Sequence, residues 1–189
     1  MDQYGLDDSD LSTIGWQLKF LRSAKNAGFD VPEKAIEDAV GCIRNQYSKS
    51  RKQFIYTISR KELSRAMQGA GILALAHSGM HETPEAVAAS KMMLNYKFTN
   101  YNVALERGLD RYHYSAFMCT QAAYQLGDKY WNKFHPTVFR TLVSNQQDNG
   151  SWPIELTNHG DGVFGSTYTT ALAVLTLSAP NQLLPIYQR

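Results

Sequence analysis

Four stretches of this 189-residue chain hold side chains able to do chemistry. Asp8 and Asp10 stand near the N-terminus, just ahead of Leu11-Ser12-Thr13. A helix beginning near Thr13 would use Asp10 or Ser12 as its N-cap, because either side chain can accept a bond from a first-turn amide. A basic cluster follows: Lys49, Arg51, Lys52, Arg60, Lys61 and Arg65, with Glu62 the only acid among them. By itself it reads as a solvated loop between structural units, interrupted by the apolar run Gln53-Phe54-Ile55-Tyr56-Thr57-Ile58, a candidate extended segment. His113 sits between Tyr112 and Tyr114, three residues after Asp110. Residue type alone makes it a partly buried histidine bonded to a neighbouring turn. The glycine-rich stretch 158–165 holds His159 and Asp161 on a flexible backbone, the kind of place where function collects.

Several chemistries are excluded at once. Two cysteines, Cys42 and Cys119, make neither a disulfide framework nor a zinc-type pair, and both read as core residues. There is no phosphate-binding glycine loop, no H-E-x-x-H and no G-x-S-x-G. A formal charge of +2 argues against a nucleic-acid binder. With 43% hydrophobic and 19% charged residues the chain is globular, and no apolar run is long enough to span a bilayer. The acidic start Met1-Asp2-Gln3-Tyr4 is no signal peptide, and two unpaired cysteines favour a cytoplasmic setting.

The elements that would position these residues follow from a repeat. Pro32, Pro84 and Pro136 are spaced by 52 residues, each expected to open a helix. Gly28, Gly79 and Gly127 precede them, as expected of left-handed helix stops. Upstream of each glycine lies a helix. Some of these are apolar all round, as in Ala66-Met67-Gln68-Gly69-Ala70-Gly71-Ile72-Leu73 and Thr170-Ala171-Leu172-Ala173-Val174-Leu175, and should be buried on every side. The proline-started helices are one-sided: Ala35, Ile36, Ala39, Val40 and Ile43 share a face. The reading is an all-α fold of inner and outer helix pairs, about three and a half of them. An N-terminal extension covers 1–11, and units cover about 12–60, 61–109, 110–160 and 161–189.

Inner and outer helix pairs at this period resemble the α/α-toroid of terpenoid cyclases and protein prenyltransferases. Gln146-Gln147-Asp148-Asn149-Gly150-Ser151-Trp152 matches the Q-x-x-x-G-x-W element that recurs in squalene-type cyclases. There Gly150 would allow the turn, and Trp152 would stack over Gln146 to tie adjacent units. Ser12-Thr13-Ile14-Gly15-Trp16-Gln17 and the ending at 184–189 are similar to bacterial prenyltransferase and squalene-oxidase repeat proteins. A full toroid of this class has ~six helix pairs, so the resemblance implies a partial or open ring.

Two chemistries come with the resemblance. Cyclases protonate an alkene with the central Asp of D-x-D-D-T; Asp8-Ser9-Asp10-Leu11-Ser12-Thr13 keeps Asp8 and Asp10 but has Leu11 for the third aspartate. The resemblance therefore implies Asp10, assisted by Asp8, as acid. Prenyltransferases hold zinc through Asp-x-Cys and a His, and Asp110-Arg111-Tyr112-His113 places that His at His113. Aligning Gly79 with Gly127 puts the other two slots on Leu63 and Arg65, neither a ligand, so no metal or other cofactor is expected. Basic residues at a toroid mouth would bind a diphosphate. His113, Tyr112, Tyr114, Trp16 and Arg65 are the implied ligand-binding residues. A related thioester motif breaks off after Gly41-Cys42.

The expectation is a non-catalytic binding or interaction scaffold. It would take an apolar or isoprenoid ligand, or a peptide, in a concave centre. Its open ends would be completed by another copy or by more of a longer chain. A cyclase-like enzyme using Asp10 is the alternative.

Overall fold

The structure, a computed structural model, describes residues 9–102, 110–155 and 161–181; Asp8, His159 and the 184–189 ending lie outside these. The described residues are mostly helical, as an all-α reading expects. The helices are α1 (Leu11–Asn26), α2 (Glu33–Asn45), α3 (Arg65–His77), α4 (Pro84–Met93), α5 (Tyr112–Gln125), α6 (Asp128–Val143) and α7 (Gly165–Leu177). A short antiparallel hairpin, β1 (Tyr47–Ser48) and β2 (Gln53–Phe54), pairs Tyr47 with Phe54.

Gly28 and Gly79 act as their spacing suggests, whereas Gly127, with ψ of 179°, is the N-cap of α6. Gly28, Gly79 and Gly127 have φ of 86°, 72° and 91°, a region where a side chain would be strained. At α1 the Phe29 amide reaches the Ala24 carbonyl and the Gly28 amide reaches Lys25; at α3 Met80 reaches Leu75 and Gly79 reaches Ala76. Both helices thus end in the paired bonds that satisfy their last carbonyls.

Packing separates two kinds of helix. α1, α3, α5 and α7 lie side by side in that order, and α2, α4 and α6 each pack on the odd-numbered helix before them. α3 is buried from Arg65 through Leu75, and α5 nearly as fully. Small residues make that closeness possible: a Cβ on Gly69 would lie 2.5 Å from the Met118 carbonyl carbon and 2.6 Å from the Cys119 nitrogen. α2 is one-sided, burying Ile36, Val40 and Ile43.

Three expectations need correction. Pro136 does not open a helix: α6 starts at Asp128, directly after Gly127, and carries Pro136 inside it. Pro136 and Asn132 are both exposed, so the bond the proline cannot make is lost on the solvent side of α6, where it costs least. α7 is not buried all round, since Ala171 is exposed and Val174 is 47% exposed. It ends the row, and among the described residues no further helix covers its outer side. Cys42 is exposed, because it falls off the Ile36-Val40-Ile43 stripe; Cys119 is buried as expected.

The α3–α5 contact sets a direct test. Gly69→Ala improves helix propensity but drives a methyl into the α5 backbone, and should destabilise the chain by about 1–3 kcal/mol. The urea midpoint measures this; an unchanged or raised midpoint contradicts the packing described.

Candidate functional site

Charged and polar side chains gather at the N-terminal ends of the odd-numbered helices. Arg65, the first residue of α3, is 2% exposed, and its partner Asp110 is wholly buried. Arg65 Nη2 and Nε donate to Asp110 Oδ2 at 2.6 and 2.9 Å, while the Arg65 amide donates to Asp110 Oδ1 at 3.0 Å. Nη1 donates to the Lys97 carbonyl at 2.8 Å, and Ser115 Oγ donates to Asp110 Oδ1 at 2.9 Å. The guanidinium lies 4.2 Å from the Phe98 ring centroid. A buried charge is tolerable only when so completely engaged. Arg65, at the position where the resembled family has its cysteine ligand, is held in this ion pair.

Glu155 does for α5 what Asp110 does for α3. The N-cap residue Arg111 makes no side-chain cap bond. The Tyr112 and His113 amides donate instead to Glu155 Oε2 and Oε1, at 3.1 and 2.6 Å. A carboxylate at a helix N-terminus is favoured by both the free amides and the dipole. His113 is 1% exposed, with Nε2 3.1 Å from the Tyr101 hydroxyl. Burial pulls its pKa down to about 4, so it is neutral at physiological pH. Tyr112 is buried too, donating to the Phe98 carbonyl at 3.1 Å, and burial raises its pKa.

Asp10 caps α1. Its Oδ1 accepts from the Ser12 amide (2.7 Å), Ser12 Oγ (2.6 Å) and the Thr13 amide (3.4 Å), and its Oδ2 accepts from the Tyr56 hydroxyl (2.7 Å). Oδ1 thus has a full set of donors, while Oδ2 receives one. Trp16, one turn into α1, is 47% exposed and acts on the Tyr114 phenol of α5. Burial lifts that phenol to about 12; Trp16 lowers its pKa against burial, and Tyr168, Asp10 and Arg111 also act on it. Asp10, Trp16 and Tyr168 of α7 thus all act on Tyr114. Arg65, Tyr112 and His113 form a second, buried group.

The Q-x-x-x-G-x-W element is a tie between helices. Gln146 Nε2 donates to the Gly150 carbonyl at 2.9 Å, closing a turn in which Gly150 has φ of 82°. Trp152, 2% exposed, donates from Nε1 to the Leu142 carbonyl at 2.9 Å. Its own backbone meets Thr170 and Thr169 of α7 at 3.1 and 3.0 Å. The tie thus runs through hydrogen bonds to α6 and α7. The same device recurs: the buried Phe54 carbonyl accepts from Gln68 of α3, and the Phe98 carbonyl from Tyr112 of α5.

The basic cluster does not converge. Arg65 is buried, while Lys49, Arg51, Lys52, Arg60 and Lys61 are exposed around the hairpin and the loop after it. Asp161 opens a one-turn 3-10 segment, Asp161–Phe164, ahead of α7. Among the described residues no group of three or more metal-type side chains comes together, and no helix is long and apolar enough to cross a membrane. Sequence reasoning missed Asp110 and Glu155 as structural acids. Asp110 was visible only as part of a motif centred on His113, and nothing around Glu155 marks it.

Comparisons with protein-family models, with curated proteins and with solved structures return no match. Function must be argued from these side chains.

The buried bases predict a pH profile. His113 and His77 both have folded pKa values near 4, against 6.5 when unfolded; burial is the main cause at each, with Lys19 and Arg22 adding at His77. Between those values the unfolded chain binds more protons, so stability falls as pH drops from 6.5 towards 4, by ~3 kcal/mol for His113. At Lys19 burial lowers the pKa from 10.5 to about 7, so stability should climb from about pH 7 to 9, above which Cys119, Tyr96 and Tyr112, whose pKa values burial raises, oppose it. Urea titrations at stepped pH check both limbs. His113→Gln should remove about half of the acid limb, leaving the share of His77, and leave the alkaline one unchanged.

Proposed function

We propose that this chain is a helical-repeat binding scaffold of the terpenoid-cyclase and prenyltransferase kind, rather than a catalyst. One observation carries the reading: the residues at the acid slot and the metal slot are already committed to holding helix ends together. Asp10 caps α1 and receives Tyr56, and Arg65 is locked to Asp110. A proton donor for an alkene needs a proton and neighbours that hold it. Asp10 is surrounded instead by groups that donate to it. On the side of the row carrying Trp16, Tyr114 and Tyr168 offer further aromatic surface, suited to an apolar or isoprenoid ligand or to a peptide side chain.

The described ends of the row support association as well. Trp16 and Phe20 of α1 are 47% and 71% exposed, and Phe164 and Val174 at the α7 end are 60% and 47% exposed. Apolar ends of a stacked-helix array are covered by caps, by more repeats or by another copy.

A cyclase-like activity is the second reading. Asp10 and Tyr168 both act electrostatically on Tyr114, and aromatic faces near an acid are what a carbocation would need.

The test incubates the purified chain with squalene, and separately with farnesyl diphosphate, zinc and a cysteine-containing acceptor peptide. No product is expected, whereas added farnesol should change tryptophan emission and Trp16→Phe should remove that change. Turnover of either substrate overturns the scaffold reading. If squalene product forms and Asp10→Asn abolishes it, the cyclase reading takes its place. Asn caps helices about as well as Asp, so the fold survives that substitution.

A further inference from the structure

Glycine inside a helix is destabilising unless something needs the space, because it loses more backbone freedom on folding than any other residue. Two of the glycines in α3 meet that condition. Gly69 faces the α5 backbone, and a Cβ on Gly71 would lie 2.5 Å from the Phe54 ring. Gly41, in the middle of α2, does not: no atom lies within 4 Å of where its Cβ would be. Gly15 in α1 is equally unopposed but is buried. Gly41 instead lines two surface grooves.

The first groove, about 610 Å³, runs between α2, the hairpin and the start of α4. The second, about 350 Å³, continues along α2 towards the end of α1 and the turn after α3. Both are lined by Gly41 and Arg44, so they meet across the glycine. Their characters differ. The first is basic: Arg44 is paired with Glu85, while Lys49 and Lys52 have no acidic partner among the described residues. Lys52 also holds φ of 55° in the turn between β1 and β2, where glycine or asparagine would sit more easily. The second mixes both signs: Ile36, Val40 and Met80 lie among the cations Arg22, Lys25 and Arg44 and the acids Glu33 and Glu37. None of these residues is among those acting on Tyr114.

We propose that the continuous groove along α2 docks an acidic, extended peptide segment of a partner protein. The segment crosses the helix backbone at Gly41, with carboxylates meeting Lys49 and Lys52. A compact ligand would fill one compartment, whereas two compartments joined end to end match an extended chain. Half-buried Met80, at the rim above the buried Ile36 and Val40, then meets an apolar side chain of the segment on one side of Gly41. Tyr47 and Pro84 line the other side. The lysines give the direction of charge, and the open glycine explains why α2 tolerates a weak helix former at that position.

The probe is a fluorescein-labelled decapeptide alternating glutamate and leucine, read by anisotropy at low ionic strength, with a lysine–leucine decapeptide as control. The glutamate peptide should bind, and more weakly as salt rises. Its Kd should increase at least fivefold for Lys49→Glu with Lys52→Glu, and again for Gly41→Leu. Gly41→Ala should raise the Tm by about 2 °C, and Gly41→Leu should melt no lower than the starting chain. Failure of the glutamate peptide to bind overturns the proposal, as does equal binding of the lysine peptide. So does binding indifferent to Gly41→Leu, or a Gly41→Leu chain that melts lower and so reveals a packing need for the glycine. Displacement of the peptide by vesicles of anionic phospholipid at lower charge concentration would assign the groove to a membrane surface and also overturn it.

Discussion

A guanidinium buried to 2% exposure can persist only if its charge and its donors are met, and Asp110, the Lys97 carbonyl and the Phe98 ring meet those of Arg65. That requirement fixes more than one pair. Asp110 lies just before α5, so satisfying Arg65 pins the start of α5 to the start of α3. Glu155, ahead of α7, pins the start of α5 in turn, and Tyr56, ahead of α3, reaches the cap of α1. Each of these helix starts is thus held by a side chain from the segment leading to the next helix of the row. Oriented amides and a carboxylate are a strong combination, and its repetition makes the polar edge of the row a continuous structure.

The opposite requirement, close apolar contact, governs the body of the row. Gly69 and Gly71 let α3 sit against α5 and Phe54 with no room for a methyl. Buried aromatics after each even-numbered helix or the hairpin, Phe54, Phe98 and Trp152, pass their carbonyls to the next odd-numbered helix. Sequence marks only Trp152 in this set, because tryptophan in a turn motif is conspicuous and phenylalanine before a loop is not.

Legibility followed physical cause. Left-handed glycines were readable because one residue type does that work, and Gly28 and Gly79 do it, while Gly127, with φ of 91° and ψ of 179°, caps the start of α6 instead. Burial of α3 was readable from a run with no polar face. Pro136 misled because proline is tolerated inside a helix when its side is exposed, and periodicity of prolines is not periodicity of helix starts. Val174 misled because an apolar helix at the end of a row has one face with nothing described against it. The pairing of Arg65 with Asp110 spans 45 residues. Local pattern cannot reveal it; only the buried geometry does. The groove at Gly41 was illegible for the same reason, since a helix glycine signifies differently when packed and when open.

The central claim is that Arg65 and Asp110 act as one structural unit, not as remnants of a reactive site. A double-mutant cycle measures it: urea unfolding of Arg65→Met, Asp110→Leu and the two together. Each single change strands a buried charge and should destabilise by about 3–5 kcal/mol. The double variant should be more stable than the sum by ~2–3 kcal/mol, the coupling expected of directly bonded partners. Additivity within ~0.5 kcal/mol would contradict the account.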